Sequence, residues 1–468
     1  MQPRQPAHAD VSKPGSRQPA STKGPKHARK SSSPLPRMGS SMRAFSDKRL
    51  YLALAILGFL LLFLPKALTW FEFGDGLPYH LTIAVQTAKG PLSGLVQPQP
   101  PLYYYMLAGV YSATQSIQIT GLLSPIFSVL AVLAAFWFFR HHFDQKTSFL
   151  ASIIFLLTPD FVSIGTSTHI EPLLTALILV SFQLMFQNKN KLSGLAFGLA
   201  QLTKYSSIAF YPIVVFHDLI ERKSLDKKFL KKILTIFLIS LVIAGGFYIK
   251  NAALYNNPLY PRGQGGNALD PAYVLGVYGG TARYLAMTFN SYYFSNTNVG
   301  EYFPEEGRFA SGSLFFQWGN VASITTPGSR SVGIHIFDIV SSGLLFLLML
   351  VGAFTLYKKD RKLFLLLANF VFWFAVLYFA YSLTPNSAPS TRFSMPIYPM
   401  LSLFTAIGIL RFSKKTWFLP LLGLALLSAV YLYSLQIDRM VIFAQHYQEV
   451  FNHPYIQKTL HAAIIWPL

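Results

Sequence analysis

Apolar runs of membrane-spanning length, about 17–25 residues each, recur between residues 50 and 434 and are separated by short basic clusters. The first is Leu50–Trp70, preceded by Lys48 and Arg49. Ile119–Phe139 follows and ends at Arg140-His141-His142. Thr147–Leu157 runs one way, and Pro172–Phe186 returns to Asn188-Lys189-Asn190-Lys191. Leu192–Leu202 and Ile208–Phe216 read as a hairpin with Lys204 near its tip. Its halves are too short to span upright, so they must tilt, be buried or be extended by polar residues. Beyond the cluster Glu221 to Lys232, Ile233–Ile249 crosses and a long loop runs from Lys250 to Gly333. Ile334–Leu356, Leu363–Tyr381, Phe393–Leu410 and Trp417–Tyr433 complete the series, with Lys358 to Lys362 and Lys414-Lys415 on alternate connections. The pattern predicts an all-α polytopic membrane protein of about eleven transmembrane helices.

Basic connections favour the cytoplasmic side. That rule places residues 1–49 in the cytoplasm, residues 71–118 and 250–333 outside, and the tail 435–468 outside. The transmembrane domain is 50–434. The alternation depends on the Lys204 hairpin crossing twice, since a single crossing would invert every later connection. Pro100-Pro101-Leu102-Tyr103-Tyr104-Tyr105 opens a further apolar piece, interrupted by Ser112, Thr114 and Gln115. It reads as an interfacial helix or a short span. The loop 250–333 is too long for a plain connector. It carries Tyr284, Phe289, Tyr292, Tyr293, Phe294, Tyr302, Phe303 and Trp318. These suit a packed domain on the bilayer, and some of the rings suit a groove for a sugar or a lipid.

Composition narrows the class. The chain is 52% hydrophobic and 12% charged, and a soluble domain carries about twice that charge. The net charge of +21 lies in the tail and the short connections. That distribution suits anionic lipid and argues against nucleic acid. Residues 1–49 hold eleven Lys/Arg against Asp10 and Asp47, with many Ser and Pro, and read as a disordered tail. An organellar transit peptide is disfavoured by the scattered prolines. With no cysteine, disulfides, thiol catalysis and thiolate metal sites are excluded and the redox compartment stays open.

Ionisable residues beside spans are costly without a task. Asp75, in Gly74-Asp75-Gly76 after the first span, could accept a proton from an attacking hydroxyl; a turn aspartate is its structural alternative. His80 could orient a group, and an exposed side chain is the favoured reading. Asp160 and Thr168-His169-Ile170-Glu171-Pro172 form a second acidic region. An acidic residue before Pro also suits a helix N-terminus. His169 and Glu171 are too few ligands for a metal site, and no metal ligand is assigned. Lys204 suits a phosphate or a snorkelling lysine. Arg392 suits a bidentate phosphate contact or an interface anchor. His335 and Asp338 lie three apart and suit a helical pair. No Walker loop, dinucleotide fingerprint or HExxH helix is present.

Five segments together resemble the GT-C-fold membrane glycosyltransferases, specifically the protein O-mannosyltransferase and aminoarabinose-transferase superfamily. They are Asp75 with Pro100–Tyr104; Glu171-Pro172; Gly198-Leu199-Ala200-Gln201-Leu202-Thr203-Lys204; Asn251 with Asn257–Pro261; and Arg392-Phe393 with Pro396 and Pro399. The resemblance spans roughly residues 50–412, and its specificity lies in the order of these segments. Three positions depart from the pattern: Gly76 replaces a Glu, Gln99 a Lys, and Glu171 the usual Asp. The phosphate contact of that lysine is therefore missing at position 99.

The resemblance implies transfer of a sugar from a polyprenyl-phosphate donor to an acceptor hydroxyl on the non-cytoplasmic face, with inversion. Asp75 and Glu171 are then the catalytic residues, with Asp75 as base. Lys204 and Arg392 bind the donor phosphate, and His80, His169 and Tyr103 are candidates for positioning donor or acceptor. The lipid-linked sugar donor is the only cofactor implied, and a divalent metal is left open. Implied partners are membrane lipid and a glycan, lipid or protein acceptor. The location implied is a multi-pass protein of a prokaryotic plasma membrane, with its N-terminus cytoplasmic and its C-terminus outside. A transporter or flippase of a lipid-linked or small anionic substrate is the alternative, and an assembly subunit with a decayed site is a third.

Overall fold

The computed structural model describes residues 40–69, 80–89, 100–222, 226–258, 332–382 and 395–445. Every regular element among them is helical. Helix α1 (Ser40–Gly58) passes through a π-helical turn, Phe59–Phe63, into α2 (Leu64–Thr69). Then come α3 (Thr82–Lys89), α4 (Leu102–Thr114), α5 (Ile117–Gly121), α6 (Leu123–His142), α7 (Gln145–Leu156), α8 (Pro159–Thr166) and α9 (Glu171–Phe186). They are followed by α10 (Asn190–Gln201), α11 (Phe210–Arg222) and α12 (Lys227–Tyr255). Beyond the loop lie α13 (Val332–Lys359), α14 (Arg361–Ser382), α15 (Tyr398–Leu410) and α16 (Phe418–Gln445).

Local chemistry sets the boundaries. Asp144 caps α7 by accepting from the Thr147 backbone N–H at 3.0 Å and its hydroxyl at 2.9 Å. Asp226 caps α12 by accepting from Phe229 N at 2.7 Å. Pro159 and Pro172 sit in first turns, where a missing N–H costs little. Gln115 and Asn256, both at φ 52°, end α4 and α12 in the left-handed conformation.

Three described helices are long and apolar enough to cross a membrane: Asp47–Thr69, Ile117–His142 and Lys227–Tyr255. Shorter apolar helices accompany them, including Glu171–Phe186 and Met395–Leu410. The chain is a multi-pass membrane protein of all-α class, as the apolar pattern predicts. Its buried core joins α6, α7, α9, α10, α11 and α13 to α15. Phe182 on α9 lies at its middle, stacked on Phe138 of α6 at 5.4 Å and tilted against Phe370 of α14 at 5.1 Å. Polar groups add interhelical bonds: Ser181 and Ser193 exchange hydrogen bonds between α9 and α10, each hydroxyl 2.9 Å from the other's carbonyl oxygen. Helices α13 and α15 cross at close range. A Cβ at Gly408 would stand 1.8 Å from the Leu348 carbonyl oxygen, so only glycine fits there.

The two ends of the bundle differ. Arg140, Asp144, Lys189 and Lys232 gather at one, here the basic end, and Asp47 joins it through a forked pair with Arg140 at 2.9 and 3.2 Å. The Lys204 hairpin goes out from this end and comes back. Phe197 meets Phe210 at 4.7 Å beside its tip, and Phe186 meets His217 at 4.5 Å near its base. Helices α10 and α11 thus form a hairpin with both open ends toward the basic end.

Several elements depart from the expected pattern. Between the runs Thr147–Leu157 and Pro172–Phe186 the structure adds α8, which packs on α6. The last helix runs beyond Tyr433 to Gln445. Helix α4 buries Tyr103, Tyr104, Leu107 and Ala108 while Tyr105 and Met106 are exposed. At 13 residues it is about 20 Å long, short of an upright crossing.

Candidate functional site

The end opposite the basic clusters brings four sequence segments together. The Leu102 N–H donates to the Leu202 carbonyl at 2.8 Å, so the Pro-Pro-Leu-Tyr-Tyr segment meets the Gly-Leu-Ala-Gln-Leu-Thr-Lys segment through their backbones. Helix α6 holds a third segment with two serines one turn apart. Ser128 Oγ donates to the Gly165 carbonyl at 3.1 Å. Ser124 Oγ donates to the His169 carbonyl at 3.1 Å and accepts from the His169 N–H at 3.2 Å. These bonds fix the turn after α8 and set Glu171 as the first residue of α9. Lys204 follows α10 in an extended conformation, φ −157°, and opens the 3₁₀ turn Tyr205–Ala209. The fourth segment is the start of α3, which brings in His80.

The side chains converge on one buried pair. Lys204 Nζ donates to Glu171 Oε1 at 2.5 Å. Glu171 Oε2 lies 3.8 Å from His169 Nδ1. The His169 ring is edge-on to His80 at 5.5 Å between centroids. His80 Nδ1 is 3.2 Å from the Tyr104 hydroxyl, and the Tyr103 ring stands 5.8 Å from His80. Glu171 is 1% exposed, His169 0%, His80 4% and Lys204 5%. Such a pair offsets the desolvation of both charges, and removing one partner leaves the other buried and uncompensated. An ammonium has three donors, so it can hold a carboxylate and a phosphate oxygen together.

The structure thus joins His80, Tyr103, His169, Glu171 and Lys204. It replaces two of the sequence readings. His80 is buried against Tyr104, because α3 packs on α4. Lys204 does not snorkel, because Glu171 holds its ammonium inside. Glu171 takes the helix N-terminal position and the ion pair at once. Asp75, Arg392 and the aromatic residues of the long loop lie outside the described residues, and so do Gly76 and Gln99. Among the described residues, no group of three or more His, Asp or Glu gathers to hold a metal ion. One participant escaped the sequence reading: Tyr104, which shares the buried face of α4 with Tyr103 while Tyr105 is exposed.

Residues 98–245 match the family described as dolichyl-phosphate-mannose-protein mannosyltransferase. That stretch contains Tyr103, His169, Glu171 and Lys204. The fold is similar to ArnT from Cupriavidus metallidurans bound to undecaprenyl phosphate, with a TM-score of 0.52 and 14% identity over 90% of this chain and 75% of that one. It is also similar to the archaeal oligosaccharyltransferase AglB from Archaeoglobus fulgidus in complex with an inhibitory peptide and a dolichol-phosphate. There the TM-score is 0.50 and identity 14%, over 86% of this chain and 56% of that one. No curated protein matches the chain. The family match over residues 98–245 agrees with the resemblance read from the sequence, and the solved structures agree with it in their fold.

Proposed function

We propose that this protein transfers a sugar from a polyprenyl-phosphate donor to an acceptor hydroxyl on the non-cytoplasmic face of the membrane, with inversion at the anomeric carbon. The observation that supports it most is the convergence of separate motif segments on the buried Glu171–Lys204 pair, within the stretch that matches the mannosyltransferase family. The lipid phosphates in the ArnT and AglB structures favour a donor of the same class.

In this reading the Asp75 carboxylate takes the proton of the acceptor hydroxyl as its oxygen attacks the anomeric carbon. The bond from that carbon to the phosphate oxygen breaks, and the polyprenyl phosphate leaves with its added negative charge. Lys204 and Arg392 stabilise that charge as it develops. Glu171 anchors the Lys204 ammonium, and His169, His80 and the two tyrosines build the wall beside it. A ready-made cation gains over water because its geometry is fixed before the reaction starts.

A transporter would need a route from this site to the basic end. The described core between them is packed with Phe138, Phe182, Phe210 and Phe370, which favours the enzyme. The test is incubation of the purified protein with a panel of polyprenyl-phosphate sugars, reading donor turnover by mass spectrometry. Release of polyprenyl phosphate from at least one donor is expected. No turnover of any donor, together with flux of a lipid-linked sugar across reconstituted vesicles, would replace the enzyme by the transporter.

A further inference from the structure

Asn251 belongs to a motif segment to which the reaction assigns no role. It lies near the end of α12 and is 4% exposed. Its Nδ2 donates to the Tyr205 hydroxyl at 3.4 Å and to the Pro258 carbonyl at 3.4 Å. A side-chain amide nitrogen carries two hydrogens, so both bonds stand at once. Tyr205 directly follows Lys204, and Pro258 lies just past the end of α12. One buried amide thus ties the end of α12 to the neighbour of the site's cation.

Helices α10 and α12 lie side by side up to that point. A Cβ at Gly194 would meet the Ile236 carbonyl oxygen at 2.9 Å, and one at Gly198 would meet Ile243 at 2.7 Å. Further along, Tyr248 donates to the Gln201 carbonyl at 3.3 Å. The Tyr205 ring lies 6.2 Å from Phe247 and 6.0 Å from Tyr248, with Asn251 on its hydroxyl. Lys204 stands between these anchors in an extended conformation, φ −157° and ψ 141°. In extended backbone, successive side chains point to opposite sides. Lys204 accordingly reaches Glu171 on α9, while Tyr205 reaches α12. The Lys204 carbonyl accepts from the Ser207 N–H at 3.1 Å and from its hydroxyl at 2.8 Å, which fixes the backbone beyond it.

We propose that Tyr205 and Asn251 are positioning residues that act through Lys204, holding its backbone from the α12 side so that the ammonium meets Glu171 and the donor phosphate in one fixed place. The inference rests on the glycosyltransferase reading and adds to it the source of the cation's preorganisation. Glu171 fixes only the tip of a flexible four-carbon stem. A charge contributes most to a transition state when its position is set beforehand, and the anchor on α12 sets the other end of that stem.

The purified full chain is assayed with a polyprenyl-phosphate sugar that the wild type turns over, and kcat is normalised to folded protein by thermal unfolding. Tyr205→Phe and Asn251→Ala should each lower kcat by about tenfold, less than the hundredfold that a misplacement of about 1 Å can cost. Tyr211→Phe is the control. Its hydroxyl makes the shorter bonds of the same helix pair, 2.6 Å to Gln201 on α10 and 3.2 Å to Ser240 on α12, yet its kcat should stay close to wild type. In a Lys204→Met background, neither Tyr205→Phe nor Asn251→Ala should lower turnover further, because both act through that ammonium. A merely structural role would repeat the loss there. Undiminished kcat in Tyr205→Phe, the same fractional loss with and without Lys204, or an equal loss in Tyr211→Phe would each overturn the proposal. If Asn251→Ala does not fold, Tyr205→Phe, which keeps the ring beside Phe247 and Tyr248, carries the test. A wild type that turns over no donor would overturn the glycosyltransferase reading itself. Normal wild-type turnover beside unimpaired variants would remove Tyr205 and Asn251 alone.

Discussion

Among the described residues, two buried ion pairs lie at opposite ends of the bundle, and they are built differently. At the basic end Lys232 donates to Asp218 at 2.7 Å, with the two residues 3% and 0% exposed. At the site end Lys204 donates to Glu171 at 2.5 Å, with 5% and 1% exposed. Burial does not separate them. Connectivity does. Asp218 and Lys232 are 14 residues apart on consecutive antiparallel helices, so their pair closes the base of a hairpin. Glu171 and Lys204 are 33 residues apart and meet where α9 begins and α10 has ended. Around the first pair the neighbouring His217 packs on the rings of Phe186 and Phe182. Around the second stand His169, His80, Tyr103 and Tyr104. A buried charge pair by itself marks helix packing. One gathered from several segments, with histidines and tyrosines beside it, suits the chemistry proposed above.

The sharpest break of this contrast is sidedness, where the outcome is all or none. A reporter active only outside the cytoplasm should be positive when fused after residue 270 or at the C-terminus. It should be negative after Lys231 or Lys359. A positive signal after Lys231 would put the basic end outside and end the shared site.

Asp75→Asn comes next. The amide nearly matches the carboxylate in shape and cannot take a proton, so transfer should fall by about 10²–10⁴-fold with expression unchanged. Near-normal turnover in the purified variant would remove Asp75 as base. Lys204→Ala and Arg392→Ala should each impair donor use more than Lys359→Ala, whose side chain is exposed. Equal effects from all three would assign the two cations to insertion or folding.

The smallest effect on chemistry belongs to the crossing of α13 and α15. Gly408→Val forces side-chain atoms onto the α13 backbone and should cost about 3 kcal/mol or more of stability. Turnover per folded molecule should hold. Unchanged thermal unfolding would mean that α13 and α15 separate more easily than their contact implies.

Most of the spans were legible because an apolar run bounded by lysines has little choice in a bilayer. The hairpin around Lys204 was legible as a pair of short helices, yet its return required the ring contacts of Phe197 with Phe210 and Phe186 with His217. Helix α8 was not legible, since Pro159–Thr166 lies between two apolar runs and carries Ser163, Gly165 and Thr166. Its hydroxyls at Thr166 and Ser167 bond back to the Val162 and Ser163 carbonyls, and α6 holds it through Ser128 and the Gly165 carbonyl. Glu171 and Lys204 were legible as separate candidates. Their pairing was not, because nothing local connects residues on different segments. His80 misled for the same reason: its burial is made by Tyr104.

The central claim, that the pair at the site end serves chemistry and the pair at the basic end serves packing, is tested most directly by Lys204→Met and Lys232→Met in parallel. Each leaves a carboxylate buried, and each should lower stability by about 3–5 kcal/mol. Donor turnover, read by mass spectrometry and normalised to folded protein, should then separate them. A loss of about 10²-fold or more is expected for Lys204→Met, in line with removal of a preorganised charge contact, with Lys232→Met close to wild type. Equal turnover per folded molecule in the two variants would contradict the account.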